Sequence, residues 1–220
     1  MFTRRTESDE HDYEADRREM VERDLVPRGI SDRRVLDAMG AVRREAFVPD
    51  DQHRYAYRDR PLPIGSRQTI SQPFIVALMA EAAELAPTDT VLEVGTGSGY
   101  GAAVLAMLAS QVVTIERHRS LAEDAKRTLD EQGISTVEVV IGDGTMGWAD
   151  KAPYDAIVVT AAGPEVPTEL LEQLRSGGRL VMPVGEIDGA QNLVRIRRVG
   201  DDLLRDDLGA VRFVPLVADQ

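Results

Sequence analysis

The chain has 220 residues, of which 43% are hydrophobic and 29% are charged, a length and balance that fit one α/β domain. Its formal net charge of -12 argues against nucleic acid or an anionic membrane surface as the main partner, because both are bound through a basic face. Cysteine is absent, which excludes disulfides, thiolate nucleophiles and metal–thiolate sites.

Histidine spacing and hydropathy exclude two further classes. His11, His53 and His118 are far apart in the sequence and show no metal-ligand spacing, so no metal site is expected. No apolar run is long enough to span a membrane. Arg4 and Arg5 are followed by acidic residues rather than an apolar core, so no secretory signal is expected. The expected location is therefore the cytoplasm.

The first third of the chain shows no strand pattern. Residues 1–14 are polar and acidic and are expected to form a disordered tail. Helical patterns follow over Tyr13–Leu25 and after Ser31, which can cap the second helix. Residues 50–72 read as a long ordered loop, and a loop of this length is usually functional. Residues 15–72 are thus predicted to be a helical cap with a substrate loop.

Residues 73–220 are predicted to form a cofactor-binding sheet within the same domain. Pro73 suits the first position of a helix, which Ser71 or Gln72 can cap and which runs to about Leu85. Strands and helices then alternate, and after Gly185 the pattern becomes polar–apolar alternation. This order predicts a mostly parallel, doubly wound sheet with antiparallel edge strands. The predicted parallel strands are Thr90–Val94, Gln111–Ile115, Thr136–Ile141, Tyr154–Thr160 and Arg179–Pro183, the last preceded by a turn at Gly177-Gly178.

A glycine-rich turn follows the first parallel strand. It reads Glu93-Val94-Gly95-Thr96-Gly97-Ser98-Gly99, and a helical pattern begins at Tyr100. Glycines let a ligand approach the backbone closely, and a helix start offers free N–H groups. Dinucleotide enzymes use Gly-x-Gly-x-x-Gly here, but Tyr100 stands where the third glycine is expected. If the dinucleotide motif is counted from Gly97 instead, it starts two residues too late after the strand.

Two acidic positions fall at the ends of the next strands. Glu116 ends the second strand about 17 to 20 residues after the glycine loop, where a carboxylate can accept hydrogen bonds from both hydroxyls of a ribose. Asp143 and Gly144 follow the third strand, where a carboxylate can accept from an adenine amino group or simply make a turn. A ribose occurs in both NAD and S-adenosylmethionine, so these positions alone do not separate the two cofactors.

The pattern acidic-x-Gly-x-Gly-x-Gly resembles motif I of class I S-adenosylmethionine-dependent methyltransferases, which have a Rossmann-like fold. Longer segments are similar to the protein-L-isoaspartate (D-aspartate) O-methyltransferase family over roughly residues 18–217. The most specific are Gln68-Thr69-Ile70-Ser71-Gln72-Pro73 and Gly142-Asp143-Gly144-Thr145-Met146-Gly147-Trp148. Phe213-Val214-Pro215-Leu216 is also close. The sequence departs from the family at Arg67, where the family usually has glycine. This difference bears on the range of substrates.

The resemblance implies a repair enzyme. Such an enzyme moves the methyl group of S-adenosylmethionine to the free α-carboxylate of L-isoaspartyl, and possibly D-aspartyl, residues in damaged proteins, and the methyl ester collapses to a succinimide. It implies that Ser71 is the active-site serine. The implied cofactor-binding residues are Gln68, Thr69, Ile70, Glu93, Gly95, Thr96, Gly97, Gly99, Glu116, Asp143 and Gly144. A monomer is favoured.

The implied chemistry needs no general base. The substrate carboxylate is ionised near neutrality, and attack on a sulfonium methyl group requires positioning and exclusion of water. No Ser–His–Asp or Cys–His set is evident in the sequence. Ser71 can donate a hydrogen bond to the carboxylate, although from the residues alone it is more readily a helix cap. An NAD-linked oxidoreductase, another small-molecule methyltransferase and a non-catalytic adenosine-binding module stay open as alternatives.

Overall fold

The computed structural model of the chain describes residues 11–186 and 189–218. The helices are α1 (Tyr13–Met20), α2 (Arg33–Ala41), α3 (Pro73–Ala82), α4 (Tyr100–Ala106), α5 (Arg119–Glu131) and α6 (Thr168–Glu172). The strands are β1 (Leu62–Gly65), β2 (Gln68–Ile70), β3 (Thr90–Val94), β4 (Gln111–Glu116), β5 (Val137–Ile141), β6 (Tyr154–Val159), β7 (Leu174–Gly185), β8 (Gln191–Val199) and β9 (Asp202–Val211). A π-helical turn, Val21–Leu25, continues α1.

Seven strands form one sheet in the order β5-β4-β3-β6-β7-β8-β9. The strands from β5 to β7 pair in parallel, and β8 and β9 add antiparallel at one edge. The predicted doubly wound sheet with antiparallel edge strands is therefore confirmed. The chain winds outward from β3 to β5 and then crosses to β6, so the strand order reverses between β3 and β6. Ligands bind at such a reversal, beyond the carboxyl ends of the strands.

The two faces of the sheet bury separate apolar cores, because side chains alternate along each strand. Val91 and Val158 pack on the face that α1 to α4 cover. Leu92 and Ile157 pack on the opposite face, with Leu170 of α6. Strands β3 and β6 are thus buried on both sides, which explains why their sequences are apolar almost throughout.

The N-terminal helices belong to the first of these cores. Met20, Leu25 and Met39 are almost completely buried, in one cluster with Val91 of the sheet. Burial of each such side chain contributes about 1.5–3 kcal/mol relative to exposure, so the helical cap is firmly packed on the domain. Most of the predicted acidic tail, residues 1–10, lies outside the described residues. The division into tail, cap and sheet regions stays a prediction.

Three local predictions were wrong. The first is the cap of α2: Asp32, not Ser31, accepts from the N–H of Arg34 at 2.8 Å, because Ser31 is tied to Glu81 through its own N–H (2.7 Å). The second is the turn at Gly177-Gly178. That pair lies inside β7, which begins at Leu174, and Gly177 has a φ of +82° where the register with β6 shifts.

The third concerns the predicted loop of residues 50–72, which is largely regular structure. It holds a short 3-10 helix, Asp50–Tyr55, followed by the antiparallel hairpin of β1 and β2. Two short strands joined by a tight turn contain too few residues to show a period of two, so the hairpin was not predicted.

No helix in the described ranges has both the length and the apolar composition needed to cross a membrane. A cytoplasmic location stays a prediction.

Candidate active site

A cleft opens beyond the carboxyl ends of the central strands. The glycine loop after β3 and the end of β4 form its floor, and the segment from β2 to α3 forms one wall. Ten predicted site residues line it: Gln68, Thr69, Ile70, Ser71, Glu93, Gly95, Thr96, Gly97, Glu116 and Gly144. Gly99 and Asp143 are the two predicted residues outside this lining.

The glycine loop is held tightly against the end of β6. Thr160 Oγ1 donates to the carbonyl of Gly95 at 2.8 Å, and a Cβ atom at Gly95 would lie only 2.3 Å from that hydroxyl. Gly95 also has a φ of +96°, which side chains rarely tolerate. Gly99, with a φ of +89°, occupies the N-cap position of α4. It therefore shapes the loop without reaching the cleft.

Glu116 is nearly buried, with 6% of its surface exposed. Its Oε2 accepts from the N–H of Gly97 at 3.0 Å, and its Oε1 accepts from the N–H of His118 at 2.9 Å. These two bonds orient the carboxylate at the edge of the cleft. Each oxygen has a second lone pair, so the group can also accept from two hydroxyls of a bound ribose.

Glu93 is a buried carboxyl group beneath the start of α4. Thr114 Oγ1 donates to its Oε2 at 2.6 Å, and a Cβ atom at Gly101 would lie 2.3 Å from its Oε1. Burial raises the pKa of Glu93 to about 8, against the hydrogen bond from Thr114 and with added repulsion from Glu116. A cationic group in the cleft would favour its ionised form. Glu93 and Glu116 together fit a ligand with a cationic amino-acid end and a ribose.

Ser71 lines the cleft and is not a helix cap. The N-cap of α3 is Gln72, and neither side chain makes a capping hydrogen bond. Within the described ranges the Ser71 hydroxyl has no hydrogen-bond partner, so it is available to a ligand. Its position at the cleft wall brings it into the same space as the glycine loop.

Asp143 acts as a cap in the structure. Its Oδ1 accepts from the N–H of Thr145 at 2.8 Å and from the Thr145 hydroxyl at 2.7 Å, which starts the short 3-10 helix Gly144–Met146. A contact of Asp143 with adenine stays a prediction. Gly144 does reach the cleft, and a Cβ atom there would lie 2.4 Å from Val94 Cγ1.

One wall of the cleft was not predicted. Residues 214–217 line it, far along the chain from the glycine loop. The N–H of Ala162 donates to the carbonyl of Val214 at 2.8 Å, and the N–H of Leu216 donates to the carbonyl of Ala162 at 2.7 Å. The similarity of Phe213-Val214-Pro215-Leu216 to the family was the one available signal. Thr160, Ala161 and His118 also line the cleft and were not predicted.

The family model for protein-L-isoaspartate(D-aspartate) O-methyltransferase matches residues 15–220. The chain belongs to this family. The predicted family and enzyme class are thereby confirmed, and the chain is an S-adenosylmethionine-dependent methyltransferase. The described residues contain no group of three or more His, Cys, Asp and Glu side chains placed to hold a metal ion.

Several known isoaspartate O-methyltransferases resemble this member of the family over most of their length. The Protochlamydia amoebophila protein-L-isoaspartate O-methyltransferase is 54% identical over 202 residues, 91% of this chain and 96% of the relative. That of Roseiflexus sp. is 56% identical over 206 residues, 94% of each chain. A Plasmodium falciparum protein assigned to the same activity, solved with S-adenosyl-L-homocysteine, superposes with a TM-score of 0.80 at 26% identity, covering 92% and 99% of the two chains.

The cofactor follows from family and geometry together. Glu93, Glu116 and the glycine loop suit the amino-acid and ribose parts of S-adenosylmethionine. The NAD-linked alternative is not favoured, because the matching family model and the relatives are those of methyltransferases.

Proposed function

We propose that this chain methylates the free α-carboxylate of L-isoaspartyl residues in damaged proteins and peptides, with Ser71 orienting that carboxylate. The observation that carries the proposal is the Ser71 hydroxyl, which has no hydrogen-bond partner among the described residues and lies in the same cleft as the glycine loop and Glu116. The names of the relatives, which are 54–56% identical, support the substrate class. D-aspartyl residues are a further proposed substrate.

Each group in the cleft has one task in this proposal. Glu116 holds the ribose, Glu93 faces the cationic end of the cofactor, and the loop from Gly95 to Gly97 lies along it. Gln68, Thr69 and Ile70 form the wall beside Ser71. Bound S-adenosylmethionine supplies a sulfonium methyl group, which a carboxylate can take without help from a base.

Ser71 donates its hydroxyl hydrogen to one oxygen of the substrate carboxylate and leaves the other oxygen to react. No proton is removed, because the carboxylate is already ionised near neutral pH. The hairpin of β1 and β2 lies over the glycine loop: a Cβ atom at Gly97 would lie 3.2 Å from Ile64 Cδ1. The hairpin and residues 214–217 enclose the cleft and limit the access of water.

The product explains the repair. A methyl ester can lose methoxide, whereas a carboxylate would have to lose oxide. The neighbouring backbone nitrogen therefore attacks the ester carbonyl carbon, the bond to the methoxy group breaks, and methoxide leaves with the nitrogen's proton as methanol, which closes a succinimide. Protein and peptide substrates fit the net charge of -12 better than nucleic acid does. A monomer is proposed.

The test is transfer of a radiolabelled methyl group from S-adenosylmethionine to an isoaspartyl peptide, with the otherwise identical aspartyl peptide as control. We expect label in the isoaspartyl peptide alone. Equal labelling of both peptides, or of neither, would contradict the proposal.

Ser71→Ala tests the role of the serine. A hydrogen bond to a charged group contributes about 1.5–3 kcal/mol, so the variant should methylate about 10- to 100-fold more slowly. Cofactor affinity, measured by calorimetry, should change much less, because Glu116 and the glycine loop remain. At saturating cofactor the wild-type rate should be nearly flat from about pH 6 to 8, since the substrate carboxylate does not titrate there. A steep pH dependence that Ser71→Ala abolishes would instead indicate a base acting through the serine.

A further inference from the structure

The position of the Ser71 side chain is set by its backbone. In the part of the chain that the structure describes, no side chain holds that hydroxyl. Strand β2 fixes the preceding residue, since Ile70 pairs with Leu62 of β1. On the other side the chain enters α3 after only one intervening residue, Gln72. The position of Ser71 therefore depends on the first turn of α3.

A distant aspartate supplies the cap that α3 lacks locally. Pro73 has no N–H, so the N–H of Phe74 is the first free donor of the helix. It donates to Oδ1 of Asp59 at 2.9 Å. The side-chain amide of Gln72 donates to Oδ2 of Asp59 at 3.3 Å. One carboxylate thus holds residues on both sides of Pro73, directly after Ser71, and a negative charge at a helix start is also favourable.

The helical cap in turn holds Asp59. Arg28, which follows the π-helical turn, forms an ion pair with Oδ2 of Asp59 and lies over the ring of Phe74, 3.4 Å from its centroid. Arg44 is completely buried. Its Nε donates to the carbonyl of Ala56 at 2.6 Å, and its two terminal nitrogens have no hydrogen-bond partner among the described residues.

The buried Arg44 also interacts electrostatically with Asp59. Burial lowers the pKa of Arg44 to about 10, and attraction to Asp59 is among the effects that oppose this fall. Arg44 is therefore charged at neutral pH. Two arginines of the N-terminal region thus act on Asp59, which is only 16% exposed and lies outside the residues that line the cleft.

We propose that Asp59 is a positioning residue for methyl transfer: by capping α3 from a distance, it sets the place of Ser71 against the substrate carboxylate. The inference rests on the proposed function of Ser71. Asp59 is not among the residues that line the cleft, so it acts on the rate through geometry. Displacement reactions are sensitive to such geometry, because the reacting atoms must be held in line.

The experiment compares Asp59→Ala, Asp59→Asn, Ser71→Ala and the double variant Asp59→Ala/Ser71→Ala, with an isoaspartyl peptide and saturating S-adenosylmethionine. Asp59→Ala should lower kcat about tenfold, since misplacement of a reactant commonly costs one to two orders of magnitude. Affinity for S-adenosyl-L-homocysteine should stay within about twofold, because its binding groups lie elsewhere. Asp59→Asn keeps an oxygen that can accept from Phe74 and should recover most of the rate.

The double variant separates positioning from general stability. If Asp59 acts through Ser71, the double variant should be no slower than Ser71→Ala, because two residues of one unit are not additive. The matched control is Asp32→Ala, which removes the same kind of cap from α2, away from the cleft. It should lower the melting temperature by a similar amount and leave kcat unchanged.

Three results would overturn the inference. They are full activity in folded Asp59→Ala, multiplying losses in the double variant, and an Asp59→Asn variant as slow as Asp59→Ala. If Asp59→Ala does not fold, Asp59→Glu replaces it. This variant keeps the negative charge beside both arginines but displaces the oxygen that caps α3. Slow turnover by Asp59→Glu would support the inference, and full turnover would refute it. If the wild type is active and Ser71→Ala is slow while Asp59→Ala is not, only this inference fails. A wild type that does not methylate the peptide refutes the proposed function itself.

Discussion

Glu93 offers a test of how the cleft receives its cofactor. The carboxyl group is fully buried, and burial raises its pKa to about 8, so it is mostly protonated at pH 6.5. Our hypothesis is that the cationic end of the cofactor lies against it, because Glu93 lines the cleft beside the glycine loop. Binding should then ionise Glu93 and release a proton. The perturbation is Glu93→Gln, which keeps the shape and the hydrogen bond from Thr114 but cannot ionise.

The expected proton release follows from the raised pKa of Glu93. At pH 6.5 a group with a pKa near 8 is ionised in only a few per cent of molecules, so binding should release close to one proton. Below the pKa of about 8, affinity should rise up to tenfold for each pH unit, or about 1.4 kcal/mol. S-adenosyl-L-homocysteine titrated at pH 6.5 in two buffers of different ionisation heat gives the proton count directly. Glu93→Gln should bind more weakly and release almost none.

The raised pKa of Glu93 also predicts how the stability of the ligand-free protein depends on pH. A carboxyl group whose pKa is higher in the folded than in the unfolded state stabilises the fold below its unfolded pKa of about 4.5, and this contribution is lost as the pH rises through about 8. At pH 7 the loss amounts to about 3 kcal/mol. Glu93→Gln should therefore be more stable than the wild type at pH 7 in chemical denaturation. Equal proton release by both proteins, or a variant that is less stable at pH 7, would refute this account of Glu93.

Three further substitutions test other parts of the cleft. Glu116→Ala should weaken cofactor binding by roughly 2–4 kcal/mol, since it removes charge-assisted hydrogen bonds to two hydroxyls; unchanged affinity by calorimetry in a folded variant would place the ribose elsewhere. Gly95→Ala should lower both melting temperature and cofactor affinity, because the new Cβ would lie 2.3 Å from Thr160 Oγ1, and a variant that binds normally would show that the loop can shift. Arg67→Gly should leave turnover of a neutral isoaspartyl peptide unchanged, because Arg67 is exposed at the hairpin turn and outside the cleft lining. A clear loss of turnover would show that the guanidinium holds the substrate.

The sequence by itself determined the sheet and most of its cofactor side. The strand Thr90–Val94 has the predicted bounds, and β4 ends at Glu116 as predicted. These elements are read from local signals, namely apolar runs and glycines at fixed spacing. Because the carboxyl ends of parallel strands meet at one edge, chain order alone brings the glycine loop, Glu116 and Gly144 together.

Only the tertiary structure decided the groups that meet through long-range contacts. Asp59 reaches α3 across 15 positions of sequence, and residues 214–217 reach Ala162 from the far end of the chain. The raised pKa of Glu93 likewise depends on burial beneath α4, and the first free N–H of α3 is capped by the remote carboxylate of Asp59 rather than by Ser71. No periodicity or spacing encodes such contacts, since each depends on how separate elements pack rather than on the residues beside it.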